Sequence, residues 1–355
     1  MLITQQPMFR HFWYPVMPTH LLDAGHPKAF RLLGEDIVLW KVGEGRYASM
    51  EDRCCHRTAK LSMGWLEDDR IVCGYHGWAY DCTGQCVSMP QSPEAQKIPY
   101  KVKSHLTDVR YGYVWVCLEP DPINTIPVLE EDGAPGFRLI HEFYEPCRAT
   151  GLRLMENFFD FSHTSFVHKG TFGNLVDAKP RKTEIEETEH GLVLRGDVPV
   201  LNADEHIQRV VRDSGLESVR HMVSKWYMPF MRKSQINYPN GLIHSLVTSA
   251  TPIDDERSML CQWIYRNDTE AEVSAADCTE MDRRITNEDI LILEGLDPDV
   301  PLAPANAEEA HMYTDRPGLA MRRRLLKMME ARGEKEVRTP RNLARFGIRV
   351  ETASA

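Results

Sequence analysis

The stretch CCHRTAKLSMGWLEDDRIVCGYHGW, residues 54–78, decides the reading of the chain. It sets Cys54 and His56 one residue apart and then, after sixteen residues, Cys73 and His76 two residues apart. Each pair is compact enough for the tip of a β-hairpin loop. A structural zinc site is the first competitor, but zinc knuckles usually take Cys-x2-4-Cys pairs and place their histidines several residues apart on a helix. Here each loop offers one sulfur and one nitrogen, and neither loop reads as helical. That donor set suits a two-iron, two-sulfur cluster with the cysteines on one iron and the histidines on the other. Neutral imidazoles in place of two thiolates raise the reduction potential, to roughly −150 to +300 mV. Cys82 and Cys86 read as small residues in a turn beside that site.

Around this stretch, residues 8 to about 125 are rich in β-branched and aromatic residues with frequent turn signals. AFRLLGEDIVLWKVGEGRYASM reads as two or three short strands divided by GED and GEG. The Pro- and acid-rich EPDPINTIPVLEEDGAPG reads as a linker, giving an all-β unit over residues 1–130 and a second unit over 131–355. In the second, GLRLMENFFDFSHTSFV (151–167) predicts a helix. Strand-like segments follow at RKTEIEETEHGLVLRGDV, SKWYMPFMRKSQINYP, HSLVTSATPID and SMLCQWIYRN. Helices over ADCTEMDRRITNEDILILEGL and PGLAMRRRLLKMMEARG close the chain, an α+β arrangement.

Composition narrows the function classes. Of 355 residues, 42% are hydrophobic and 26% charged, ordinary for a globular protein with two cores. No apolar run reaches the roughly 18 residues of a membrane span, and MLITQQPMFRHFWYPV has no signal-peptide pattern. A net charge of −10 argues against nucleic acid as the main partner, and MRRRLLK reads as a solvated helix face. Nine irregularly spaced cysteines suit a reducing compartment, with the cytoplasm as default.

A second donor set lies in MENFFDFSHTSFVHKG (155–170). His163 and His168 are candidate metal ligands, with Asp160 and Glu156 on the His163 face of a helix. Residues five apart on an ideal helix point roughly 140° away from each other. Both histidines reach one ion only if the helix ends or bulges between them, and Gly170 favours an end. Two histidines and one carboxylate form the facial triad of non-haem Fe(II) oxygen activation. The carboxylate must come from elsewhere, and TNEDILILEG offers Glu288, Asp289 and Glu294.

Together RCCHRTAKLSMG, CGYHGWAYDCTGQC and RYGYVWVCLEP resemble the Rieske domain of Rieske non-haem iron oxygenases, and the likeness extends over nearly the whole chain. Two non-ligand positions depart from the usual pattern, Cys55 where Pro is common and Gly74. The resemblance implies a Rieske [2Fe-2S] domain followed by an antiparallel-sheet, helix-grip catalytic domain. It implies Asp289 as the third iron ligand and Asn157 near the iron. Asp160 would hydrogen-bond both an iron histidine and a cluster histidine of the neighbouring subunit in a homotrimer. It further implies O2 as co-substrate and single electrons from a separate NAD(P)H-dependent reductase, with or without a ferredoxin between. No G-x-G-x-x-G follows a strand, so the chain brings no nucleotide fingerprint of its own.

The activity so implied is hydroxylation or oxidative demethylation of a small aromatic or heterocyclic molecule. Phe158, Phe159, Phe166, Phe172, Trp226, Met228, Phe230 and Met231 are the expected pocket walls. Two other classes compete: a Rieske electron carrier without oxygenase activity, and a zinc-stabilised binding protein.

Overall fold

The computed structural model describes residues 1–22, 25–94, 98–179, 181–213, 215–303 and 309–339. Strands β1 (Tyr14–Pro18), β2 (Lys28–Leu32), β3 (Glu35–Lys41) and β4 (Tyr47–Glu51) open the chain. Leu33 and Gly34, both at positive φ, turn β2 back into β3, so the turn expected at GED is made by Leu33 and Gly34, and Glu35 and Asp36 already belong to β3. A small meander follows, β5 (Trp65–Glu67), β6 (Arg70–Val72), β7 (Ala79–Tyr80) and β8 (Cys86–Ser88), then β9 (Ser104–Arg110) and β10 (Tyr113–Cys117). The result is a six-stranded sheet in the order β1-β10-β9-β4-β3-β2 and a separate four-stranded sheet β5-β6-β7-β8.

The second half is one antiparallel sheet. Its strands are β11 (Arg138–Cys147), β12 (Glu184–Thr188), β13 (Gly191–Leu201), β14 (Glu217–Tyr227), β15 (Met231–Asn237), β16 (Ile243–Pro252) and β17 (Ser258–Arg266), in the order β11-β17-β16-β15-β14-β13-β12. Helices α1 (Gly151–Phe158), α2 (Thr164–Val167), α3 (Glu205–Val211), α4 (Ala275–Leu293) and α5 (Arg316–Ala331) complete it. Ser274 caps α4 by accepting from the Asp277 N–H, and Asp204 caps α3 through the Ile207 N–H. The α+β architecture matches expectation.

Strand alternation gives this sheet two occupations. On one face Val247, Cys261, Trp263 and Tyr265 pack against Tyr111, Tyr113 and Trp115 of the N-terminal half. On the other, Ile236 and Ile264 meet Cys278 and Met281 of α4. The sheet is therefore covered on both sides, and the site lies on the α4 side.

Three expectations change. The helix read over 151–167 is two helices, with residues 159–163 between them. Asp160 Oδ1 accepts from the Ser162 N–H at 2.7 Å and Thr164 Oγ1 donates to the Phe161 carbonyl at 2.8 Å. Such local side-chain bonds compete with the helical ladder and break it. SKWYMPFMRKSQINYP is two strands, β14 and β15, turned at residues 228–230. Finally, Arg322 in MRRRLLK is buried, paired with Glu156 and Glu309.

Candidate active site and metal centres

Cys54–His56 and Cys73–His76 occupy two loops built on one plan. The Cys54 N–H donates to the Ala59 carbonyl and the Thr58 N–H to the Cys54 carbonyl. The second loop repeats this, Cys73 to Trp78 and Gly77 to Cys73. The fifth residue of each, Thr58 at φ 59° and Gly77 at φ 73°, takes the left-handed conformation that reverses the chain. Both sulfurs are buried while both imidazoles are partly exposed, so sulfur donors face inward and nitrogen donors outward. The imidazole rings stand 4.5 Å apart, edge to face, and Trp78 stacks on His56 at 4.5 Å. His56 Nδ1 is buried without a hydrogen bond. The Tyr80 hydroxyl lies 3.0 Å from Cys54 Sγ. Cys82 is exposed and Cys86 buried; burial pushes the Cys86 thiol up to about 11.

The second set converges more tightly. Ligand atoms of His163, His168 and Asp289 all lie within 4.8 Å of one another, the one such group of three or more among the described residues. Asp289 Oδ1 stands 3.3 Å from the Nε2 atoms of both histidines and makes no hydrogen bond. The one-turn helix α2 sets this geometry, with His163 as its N-cap and His168 as its C-cap. The helix thus ends at His168 as the spacing requires, and a second break before His163 frees that side chain too.

Charge at this point is concentrated. Burial would push the Asp289 carboxyl up, but His163 and His168, with a smaller pull from Asn157, hold it below the usual carboxylate range. Asp160 is lowered likewise, by His163 and the Ser162 N–H against the effect of burial. Burial opposes the charging of His163, yet Asp160 and Asp289 raise it to about 9. Two carboxylates crowding two imidazoles are the donor chemistry of a divalent cation site.

Of the neighbouring acids, Glu288 accepts from His168 Nδ1 at 2.9 Å and from Thr171 Oγ1 at 2.8 Å. Glu294 accepts from the Arg148 N–H, and Glu156, expected on the His163 face, turns to Arg322. Asp160 Oδ2 is 3.7 Å from His163 Nδ1, an ion-pair distance longer than a hydrogen bond.

A pocket opens beside the triad, and its walls differ from those expected. Phe158 and Phe172 line it; Phe159, Phe166, Trp226, Met228, Phe230 and Met231 do not. Phe166 is exposed, and the other five are buried in packing. The floor is instead one face of the sheet. Met222 pairs with Ile236 and Ser224 with Ser234, and Ser234 and Ile236 pair onward with Leu246 and His244. Arg220 and Arg232 stand on this face, and Asp282 and Ile285 of α4 form the opposite wall. His244 Nε2 lies 3.0 Å from Asp282.

Two family models match the chain: the Rieske [2Fe-2S] domain over residues 12–103 and the vanillate O-demethylase oxygenase C-terminal domain over 147–331. The chain is 32% identical to methylxanthine N1-demethylase NdmA of Pseudomonas putida over 70% of its own length and 71% of that protein. It belongs to the Rieske oxygenases. This Rieske oxygenase is also 32% identical to the vanillate O-demethylase oxygenase subunit of a Pseudomonas strain, over half of each chain. Its fold superposes on the structure of NdmA from P. putida CBB5, a QL mutant with theobromine, with a TM-score of 0.79, 27% identity and coverage of 92% and 93%. A Rieske oxygenase is an O2-dependent oxidoreductase whose cofactors are a [2Fe-2S] cluster and a mononuclear iron. The free donor atoms His56 Nδ1 and Asp289 Oδ1, the paired sulfur-inward loops and the convergent triad fit those groups.

Proposed function

We propose that this Rieske oxygenase hydroxylates or oxidatively demethylates a small aromatic or heterocyclic molecule in the pocket beside His163, His168 and Asp289. The observation that carries the reading is the convergence of those three donors at the wall of a pocket with apolar sides. Cys54 and Cys73 would hold one iron of the cluster and His56 and His76 the other, and the triad would hold the mononuclear iron. When bound, these groups supply single-electron transfer and O2 activation. The protein's own part is ligation and orientation. Glu288 fixes the His168 tautomer, Asn157 flanks Asp289, and Asp160 orients His163.

The chain divides near residues 130 and 131. Electrons come from a separate NAD(P)H-dependent reductase, with or without a ferredoxin, and the enzyme works in the cytoplasm. No helix among the described residues is long and apolar enough to cross a membrane.

The assembly is a head-to-tail homotrimer. In support, Met63, Trp65 and Tyr75 are exposed at and beside the cluster loops, while exposed Ile292 and Leu296 line a cleft with His163 and Phe166 is exposed on α2. Two unlike apolar patches suit a heterologous ring contact, here taken as one that closes at three. Asp160 and His163 share a cleft with Ile292 and Leu296, which supports a contact of Asp160 with a histidine of the neighbouring cluster.

Turnover of a panel of methoxy- and N-methyl-substituted aromatic compounds under 18O2, with a reductase supplied, tests the reading. Labelled oxygen in the product, or formaldehyde release, is expected. Reduction of the cluster with neither outcome would leave an electron carrier.

A further inference from the structure

Among the described residues three arginines are almost completely buried: Arg220, Arg266 and Arg322. Two are neutralised within the fold. Arg266 pairs with Asp268, and Arg322 with Glu156 and Glu309. Arg220 has no carboxylate partner among the described residues, and its Nε and Nη2 make no hydrogen bond. A buried guanidinium calls for an anionic partner. The contacts of Arg220 are aromatic faces, Phe172 at 4.0 Å and Tyr238 at 5.6 Å. Such faces only partly offset a desolvated charge.

The place of this cation gives it meaning. Arg220 lines the pocket beside the triad, and the Phe172 ring beneath it stacks on His168 at 4.7 Å. Arg232, the other arginine of the pocket, is different. Its Nε donates to Thr248 Oγ1 at 3.3 Å, and its charge lies within reach of Asp289 and Asp282. Val198, Met222, Ile236 and Ile285 give the pocket that Arg220 shares with the triad apolar walls. The unpartnered Nε and Nη2 share one edge of the guanidinium, the geometry that takes a carboxylate through two parallel hydrogen bonds.

We propose that the substrate is an aromatic carboxylate whose anion pairs with Arg220 while its ring lies on the apolar walls toward His163, His168 and Asp289. The proposal rests on the reading above that this pocket is the substrate site. The missing counter-ion of Arg220 is then the substrate itself, and a neutral analogue leaves the cation unpaired.

The test is equilibrium dialysis on the holoenzyme with two matched pairs: 4-methoxybenzoate with 4-methoxybenzamide, and indole-3-carboxylate with indole-3-carboxamide. The acids are expected to bind about tenfold or more tightly than the amides, as a charge-assisted pair does. Arg220→Gln should abolish the preference, and Arg220→Lys, which keeps the charge without the planar fork, should retain part of it. Equal binding of acids and amides, no binding of either acid at millimolar concentration, or an undiminished preference in Arg220→Gln would overturn the proposal. If Arg220→Gln fails to hold its cluster, Arg220→Lys decides: a weakened preference supports the anchor and an unchanged one removes it. Iron and acid-labile sulfide are measured on the same preparations. An acid preference without mononuclear iron would strike the oxygenase reading and spare the anchor; full iron without the preference strikes only the anchor.

Discussion

His168 donates from Nδ1 to the Glu288 carboxylate across 2.9 Å, which leaves its Nε2 bare and 3.3 Å from Asp289 Oδ1. Neighbouring acids on α4 therefore divide the work: Asp289 joins the donor set and Glu288 fixes which nitrogen of His168 is available to it. Such an outer partner typically contributes about 10–100-fold in metal affinity. Glu288→Ala should weaken iron binding at the triad by that factor while leaving the visible spectrum of the cluster intact. Glu288→Gln keeps an acceptor for Nδ1 and should lose much less. Iron titration monitored by electron paramagnetic resonance of the nitric oxide adduct measures both.

A hydrogen bond to a cluster sulfur stabilises the reduced, more negative state. Tyr80 is 3.0 Å from Cys54 Sγ and 3.3 Å from Cys55 Sγ. Tyr80→Phe should lower the cluster potential. A differential bond of about 1 kcal/mol corresponds to about 40 mV for a one-electron couple. Protein-film voltammetry reads the shift directly, and an unchanged potential would mean that the hydroxyl bonds to Cys55 instead.

The loops, the triad histidines and the order of elements were legible because donor chemistry and short spacing are local properties of the chain. The break at 159–163 was not, since residues 151–167 read as one continuous helix and the bonds of the Asp160 and Thr164 side chains to the nearby backbone that interrupt it carry no local sequence signal. Glu288 stood only as an alternative ligand, because adjacent residues on α4 differ by about 100° and the sequence does not say which faces Nε2. The pocket floor was missed for another reason. β14 alternates Arg220, Met222, Ser224 and Trp226 with Val219, His221, Val223 and Lys225, mixing polar and apolar residues on both faces, so no period-2 signal marks the inner one. Hydrophobicity pointed to the turn at residues 228–230, whose side chains are buried in packing.

Stability toward acid should depend on Asp268. Burial raises its carboxyl, but Arg266 and Arg138 pull it further down, below its ordinary range. A carboxyl lower in the folded than in the unfolded state adds stability that is complete above the unfolded value of about 4 and is lost as pH falls through the folded one. Asp268→Asn should cost about 3–5 kcal/mol near neutral pH, because the buried Arg266 loses its counter-ion while Arg138 keeps Glu270. Its melting temperature should also fall less steeply than that of the wild type on acidification below about pH 4. Calorimetry from about pH 7 down to about pH 2 checks both, since a lowered carboxyl titrates below its ordinary value of about 4.

Inter-subunit electron transfer makes a prediction about mixtures. Cys73→Ser chains lack a cluster and His163→Ala chains lack the mononuclear iron, so each homotrimer should be inactive. Trimers refolded or co-expressed from both should regain activity where an intact cluster faces an intact iron site. No recovery in mixed trimers would remove the head-to-tail arrangement.

The central claim, that one chain carries both a Rieske cluster and a mononuclear iron, is tested most directly by iron, zinc and acid-labile sulfide per chain on protein purified without added metal and then incubated with Fe(II). About three iron and two sulfide are expected for the wild type, and about two iron with unchanged sulfide for His163→Ala. Zinc without sulfide would contradict the account at the first site, and two iron that never rise to three would contradict it at the second.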